Sequence, residues 1–561
     1  MSTVSSSNNA DLILHGGKIY TSDDARPWAE AVVIRDGKFI HVGNTEEAEM
    51  YKGPDVPCHD LEGKFVLPGI IDSHTHLGLS VVLGGDDEIP DLTGTTKEEV
   101  LSNLRTYVKQ NPFRLYYTGF FGEMGMFGPE GPHKEDLDSV VRRRPVFLLD
   151  SEGHSLWVNS GALKLLKVTK DTPDIVPGLS CYTRDESGEP LGCIKEMAVI
   201  DILGKTMKTS KKELKAGMLR IMDYFVRHGV TAIFDAGMVV EEEKAYAILA
   251  EMDRAGELPL RVEATHMVVL PKMVPNCIEE FKRLRRTYAG NRLRFNTLKI
   301  LLDGTSKIRT AKQIEPYSDL PGCTGGTLLS ENELYELLLK LHEESIDLHL
   351  HTVGSGAIRL VLNALERALE EVGKLNSRVT VAHVETLRDS DIPRFRKMGV
   401  IANFTPHWHG GCLGDRDHLE RVLGKDRARN QLRARGIIED GGLVTFSSDE
   451  ISLHDLCRFS PFVGMEIGHT RQEIKDGGKD AEVYPPESER LDLKDLVKGY
   501  TINGAIQLRL DNRIGSIEVG KDADLVVLGK NLFEIDPYEI HTIEPELVMI
   551  EGSVAWGGTP E

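Results

Sequence analysis

An α/β chain, a (β/α)8 barrel carrying a small β-sandwich-like domain formed by both termini, is what three features of this 561-residue sequence predict. Eight apolar strand-like runs in its middle alternate with amphipathic helical stretches, the pattern of parallel β-strands joined by crossover helices. The two ends share a β-rich texture that the middle lacks. Histidines, a lysine and an aspartate fall at or just beyond the C-terminal ends of several successive runs.

The elements follow in chain order. Residues 11–65 read as short strands, Asp11–His15, Lys18–Thr21, Ala31–Arg35 and Phe39–Val42, broken by Gly16-Gly17 and Asp36-Gly37, dipeptides that suit hairpin turns. Ala523–Leu528 and Glu546–Gly552 return to that texture, so one β domain is expected from residues 1–65 and the C-terminal part of 486–561, which also holds the last helix. Residues 66–485 then form the barrel. Its strands are Phe65–Asp72, Thr231–Asp235, Arg261–Thr265, Leu298–Asp303, Asp347–His351, Val379–His383, Val400–Phe404 and Leu443–Asp449. Glu331–Glu344 and Ala357–Val372 are among the helical stretches between them. An extra run, Pro145–Asp150, lies between the first two strands, within an insertion over about 80–225.

Composition narrows the partners. Hydrophobic residues make up 40% and charged residues 28%, enough apolar material for a large core. Lysine and arginine number 67 against 88 aspartates and glutamates, and 67 − 88 leaves −21. So acidic a surface repels phosphate backbones and anionic lipid, which argues against nucleic-acid and membrane partners. Seven scattered cysteines with no CxxC fit reduced thiols. The polar first nine residues lack the apolar stretch of a signal peptide, and no apolar run approaches the roughly 20 residues of a membrane span. A cytoplasmic protein is expected, with a homodimer as its assembly.

His74 and His76 follow the first strand, Lys299 lies on the fourth, and His351, His383 and Asp449 end the fifth, sixth and eighth. At the C-terminal rim of a barrel, residues far apart in sequence meet around one point. The i, i+2 spacing of His74 and His76 puts both rings on one face of an extended strand. Neutral imidazole and carboxylate suit a divalent metal, zinc above all. A lone histidine among 19 is ordinarily a surface or packed residue, and His-x-His alone is weak evidence; repeated placement at strand ends is what raises it.

These runs resemble the amidohydrolase superfamily, and within it the YtcJ-like branch that includes N-substituted formamide deformylase. The resemblance rests on Leu67–His76, Asp136–Asp138 with Arg144–Leu148, Gly153–Leu163, Leu298–Thr305 with Arg309–Ala311, His351–Gly354, Val381–Glu385, Thr501–Ala505 and Ile514–Leu528. It implies a hydrolase of carbon–nitrogen bonds other than peptide bonds, acting on a small amide. His74 and His76 would hold one metal ion and His351 and His383 a second. Lys299 would bridge them as an anionic carbamate, since an ammonium cannot ligate a cation; a plain lysine ion-paired in a one-metal site is the alternative. Asp449 would be both ligand and proton shuttle, taking a proton from water and passing it to the departing amine.

In relatives the branch-specific segment covers the pocket, so His154 and Asn159 are candidate substrate-binding residues, with capping or packing as their other reading. His407 and Trp408, at the end of the seventh strand, are either pocket lining, with His407 preferred, or structure. Gly119–Pro129, rich in glycine, aromatics and methionine, is either a lid over an apolar pocket or a packed loop. Together they suit a substrate with an apolar or aromatic part. Two departures bear on the substrate: Gly354-Ser355-Gly356 stands where Gly-Asp is usual, and Glu450-Ile451-Ser452 where a small residue and proline are common. His349 adds a histidine two residues before His351 on the same strand face. The same chemistry would serve a cyclic amidase or aminohydrolase on a heterocycle. A non-catalytic scaffold of this fold would have lost ligand positions, and all are filled.

Overall fold

The computed structural model describes residues 10–84, 89–199, 202, 209–238, 240–411, 416–451, 456–474 and 478–558; Cys412 and Ser452 lie outside them. Its parallel strands are β1 (Ile70–Thr75), β2 (Val230–Asp235), β3 (Arg261–Glu263), β4 (Thr297–Leu301), β5 (Asp347–Thr352), β6 (Val379–His383), β7 (Ile401–Phe404) and β8 (Leu443–Phe446). One sheet runs Leu293–Arg294, β3, β2, β1; the other runs Met267–Val268, β4, β5, β6, β7, β8. Every neighbouring pair in both is parallel. At the β8–β1 side the sheets are tied by Ser73 Oγ donating to Phe446 O at 2.7 Å and Asp449 N–H to His74 O at 2.9 Å. On the other side Lys299 N–H donates to His266 O at 3.1 Å.

β1, β2 and β5 are buried along their whole length, which is why they read as near-continuous strands rather than alternating ones. Helices surround them. Lys211–Arg227 and Glu331–Glu344 each start at a serine, Ser210 and Ser330, that exchanges hydrogen bonds with a glutamate three residues on, a box that satisfies two otherwise orphaned amides. The expected helix over Ala357–Val372 is present as Ser355–Val372, its apolar stripe turned inward.

The first expected strand is divided. Phe65–Pro68 pairs antiparallel with Leu525–Leu528, in a sheet that joins N- and C-terminal strands, whereas Ile70–Thr75 enters the parallel sheet. Gly69 makes the change of sheet possible: a Cβ there would stand 2.4 Å from Thr231 Oγ1. A second sheet of Lys38–Gly43, Ala31–Arg35, Leu12–His15 and Cys58–Asp60 completes the terminal β structure.

The stretch between β1 and β2 builds its own five-stranded sheet, in the order Tyr182–Arg184, Pro190–Lys195, Ser155–Val158, Val146–Asp150, Tyr117–Gly122. Its strands alternate, Phe147 and Leu149 joining one apolar cluster and Val146 and Leu148 another. Phe121 and Phe127 pack against Trp157, with ring centroids 6.0 and 5.1 Å away. The aromatic Gly119–Pro129 stretch is therefore a strand and a packed turn anchored in a core, not a lid.

Candidate metal centre

The two sheets bring together His74, His351 and His383 near the C-terminal ends of their strands, His76 and Asp449 just beyond theirs, and Lys299 from the middle of β4. His74 Nε2 lies 3.3 Å from Asp449 Oδ1 and His76 Nε2 3.7 Å from the same oxygen. His383 Nδ1 is 3.5 Å from Asp449 Oδ2, so the carboxylate stands between the two groups of imidazoles. Donor atoms of His74, His76 and Asp449 all lie within 4.8 Å of one another, a spacing that one ion could bridge. Lys299 Nζ sits 3.1 Å from His74 Nε2, and the His351 and His383 ring centroids are 4.4 Å apart.

Residues behind the cluster set its rings. His76 Nδ1 contacts Gly237 O at 3.0 Å, which turns Nε2 toward Asp449. His74 Nδ1 contacts His349 Nε2 at 3.0 Å, so His349 supports a candidate ligand, and His351 is the strand-five histidine facing the centre. Asp72 accepts from His74 N–H at 3.2 Å and from Ser448 N–H at 3.1 Å, tying the two loops that carry His74 and Asp449. Asp303 accepts from Val353, Gly354 and Lys312 N–H and lies 3.4 Å from His351 Nδ1. His383 and Asp449 have φ of +77° and +48°, a left-handed backbone that non-glycine residues adopt chiefly where the surroundings force it.

Burial governs the electrostatics. It pulls His76 down to about 3 and His74, His349, His351 and His383 well below the usual imidazole range, so all are neutral and fit to ligate. It pulls Lys299 down and pushes Asp449 up. Both ring nitrogens of His383 and Nδ1 of His351 are buried without a hydrogen-bond partner. Orphaned polar atoms of this kind cost stability unless something fills the place, and neutral nitrogens with one carboxylate are the donor set of a zinc-like ion.

The other candidates separate. His154 lies at the edge, its ring centroid 5.8 Å from that of His351. Its Nδ1 is 2.7 Å from Glu196 Oε2, inside the fully buried turn after Pro190–Lys195. Burial alone would lower His154, but Glu196, Asp150 and Glu152 outweigh it and raise the group to about 10. Asn159 does not reach the centre. Its Oδ1 accepts from Ala162 and Val146 N–H and its Nδ2 donates to Val141 and Arg144 carbonyls, so the amide caps helix Ser160–Leu166 and pins the neighbouring loop with none of its capacity left for a substrate. His407 and Trp408 take different surroundings. Trp408 stacks on His383 at 5.4 Å and 20°, whereas His407 Nε2 points to Ser460 O at 3.1 Å.

One departure in the sequence is structural. A Cβ on Gly354 or Gly356 would stand 2.1 or 2.9 Å from Lys312 O, so both glycines admit a close backbone approach. Asp72 was visible in the sequence as the residue two before His74 on the same strand face. So was Asp303, the last residue of the expected fourth strand; Glu196 was not, since no spacing links it to the histidines and only the fold brings it near.

A model of the amidohydrolase family matches residues 58–555. The Bacillus subtilis protein YtcJ is 28% identical over 97% of this chain and 99% of its own length. The N-substituted formamide deformylase of Arthrobacter pascens is 24% identical over 98% and 99%. A metal-dependent hydrolase from Pyrococcus horikoshii shares the fold with a TM-score of 0.67, at 23% identity over 94% of this chain and 99% of that one.

Proposed function

This chain belongs to the amidohydrolase family, and from that premise we propose that it hydrolyses a linear amide C–N bond of the amidase, deacylase or deformylase type. The observation that carries the reading is the buried convergence of four neutral imidazoles, Lys299 and Asp449, with donor atoms of His74, His76 and Asp449 within 4.8 Å of one another and both ring nitrogens of His383 lacking a hydrogen-bond partner. His74 and His76 would hold one ion and His351 and His383 a second, with Asp449 between the pairs. The lowered Lys299 amine favours a neutral nucleophile able to take up CO2 as a carbamate. A bound zinc-like ion lowers the pKa of water toward 7 and polarises a carbonyl. Asp449 takes the proton of the attacking water; as the oxygen joins the carbonyl carbon and the C–N bond breaks, Asp449 delivers that proton to the departing nitrogen.

In the same reading the two parallel sheets are one closed eight-stranded barrel, favoured by the hydrogen bonds between β8 and β1. Trp408 and the side chain of Ile451 would line an apolar substrate subsite. A cytoplasmic location fits the described cysteines, none of which forms a disulfide, and no described helix is long and apolar enough to cross a membrane.

Metal analysis, removal by chelation and re-addition of zinc test the proposal, assayed on N-substituted formamides, N-acyl amines and hydantoin-type rings. Loss of amide hydrolysis on chelation and its return with zinc are expected. Preferential ring opening would assign a cyclic amidase instead. No metal and no zinc-dependent activity would leave a non-catalytic protein.

A further inference from the structure

Charge is unevenly spread over this chain. The whole-chain balance of −21 predicts repulsion from anionic lipid, yet residues 105–116, 139–149 and 160–170 hold nine lysines and arginines and no aspartate or glutamate. The fold gathers these three segments at one end of the five-stranded sheet between β1 and β2. Arg144 donates to Pro112 O at 2.6 Å and to Arg114 O at 3.2 Å, which joins the second segment to the first. Asn159 donates to Val141 O and Arg144 O, and a Cβ on Gly161 would stand 3.1 Å from Arg143 O, so the third segment packs on the second.

The same end carries apolar side chains in water. Phe113 is 95% and Leu115 84% exposed, both in the turn that leads into strand Tyr117–Gly122, and Leu165 on helix Ser160–Leu166 is 58% exposed. A single exposed apolar residue is ordinary; two in one turn, both almost wholly in solvent, are not. The turn has a packed base, since the Tyr116 ring lies 6.5 Å from that of Phe147. Around the tip the Arg114 and Arg144 guanidinium groups lie over the Tyr107 and Tyr117 rings, at 5.6 and 5.0 Å, and Arg142, Arg143, Lys164 and Lys167 are exposed. The acidic residues just before the second segment are engaged, Asp136 by Lys97 and Asp138 by Ser160.

An apolar tip ringed by cations suits the boundary of an anionic bilayer, where apolar groups enter among the headgroups and lysine and arginine meet phosphates. Other partners fit less well. A second copy docked patch to patch would bring like charges together. A nucleic-acid backbone would satisfy the cations and leave Phe113 and Leu115 in water. At an ionic strength of about 0.1 M, exposed charges more than about 10 Å away are largely screened, so the local excess and not the whole-chain balance sets the attraction.

We propose that this end of the sheet docks on an anionic phospholipid membrane, with Phe113 and Leu115 among the headgroups and the surrounding cations on lipid phosphates. Strand Val146–Asp150 starts at the patch and ends, about 17 Å away, at the turn bearing His154 beside His351. Docking at its start therefore leaves the candidate metal centre clear of the lipid, and the inference stands apart from the amide-hydrolase reading.

Co-sedimentation of the 561-residue chain with vesicles of phosphatidylcholine and phosphatidylserine tests it, beside vesicles of phosphatidylcholine alone and soluble poly-glutamate. Binding to the anionic vesicles only, weakening as salt rises, is expected. Phe113→Ser with Leu115→Ser should weaken that binding about tenfold. Arg142→Glu with Arg143→Glu should weaken it about 10²-fold. Both double variants should melt as the wild type does. No binding of the wild type to anionic vesicles, or binding unchanged in either variant, overturns the proposal. Binding to poly-glutamate that survives the loss of Phe113 and Leu115 would mark a site for an acidic protein and overturn it too. So would a lowered melting temperature in the Phe113 and Leu115 variant, which would place those side chains in the fold.

Discussion

Two buried polar clusters sit at opposite ends of the parallel strands, and they differ in how their charges are paired, although each keeps buried nitrogens without a hydrogen-bond partner, Arg261 Nε in one and the His383 ring in the other. At the N-terminal end, Arg261 at the start of β3 reaches Asp522, Asp524 and Glu551 through its two terminal guanidinium nitrogens. Lys38 and Arg513 add to Asp522, and Arg292 to Glu551. Each carboxylate has a cation, and the network joins the parallel strands to the returning C-terminal segment. At the C-terminal end, neither ring nitrogen of His383 has a hydrogen-bond partner, and Asp449 and His383 carry left-handed backbones. Paired charge holds a structure together; unpaired donors and local strain mark a place kept ready for a ligand.

That contrast yields predictions, the largest first. Asp449→Asn should retain metal, read by elemental analysis, while turnover falls about 10³-fold, within the 10²–10⁴ range for a positioned acid–base group. Near-normal kcat would deny Asp449 the shuttle. Arg261→Met should do the opposite. Leaving Asp524 buried beside an apolar side chain should cost about 3–5 kcal/mol in a denaturant titration, with kcat of the folded fraction nearly unchanged. If activity fell and stability held, the two ends would not be divided in this way.

Asn159→Ala sharpens the same line inside the insertion. The lost cap and orphaned amides should lower stability by about 1–2 kcal/mol and leave KM untouched; a raised KM would return Asn159 to the substrate site. The smallest effect concerns pH. Burial pushes Glu263, on β3, up to about 8, against Arg294 and Asn296, which oppose it. Between pH 4.5 and 8 the folded chain then holds a proton that the unfolded chain releases, so this group's contribution to stability falls as pH rises through that window. Glu263→Gln should flatten that slope in melts between pH 5 and 8; an unchanged slope would mean that Glu263 is ionised in the fold.

The sequence was most legible where chemistry and periodicity coincide. His74 lies on β1 and His76 just past it, and His351, His383 and Asp449 fall at or just beyond the ends of apolar runs, so strand reading alone marked them as candidates. It failed where a residue's role depends on direction. Asn159 and His154 share one motif, yet one amide is enclosed by backbone groups while one imidazole meets the Glu196 carboxylate beside His351. His407 and Trp408 are neighbours that a short 3₁₀ turn over Pro406–Trp408 sends to different surroundings, Ser460 O and the His383 ring.

By itself the sequence determined the strand–helix alternation, the residue types able to bind a divalent ion, and their position at strand ends, because all three are written in local periodicity and side-chain chemistry. Only the tertiary structure decided which nitrogen of each ring faces the centre, that His349 supports His74, and that Glu196 stands behind His154. Those pairings join residues tens to hundreds of positions apart, and no local pattern in the chain encodes the angle at which two distant side chains meet.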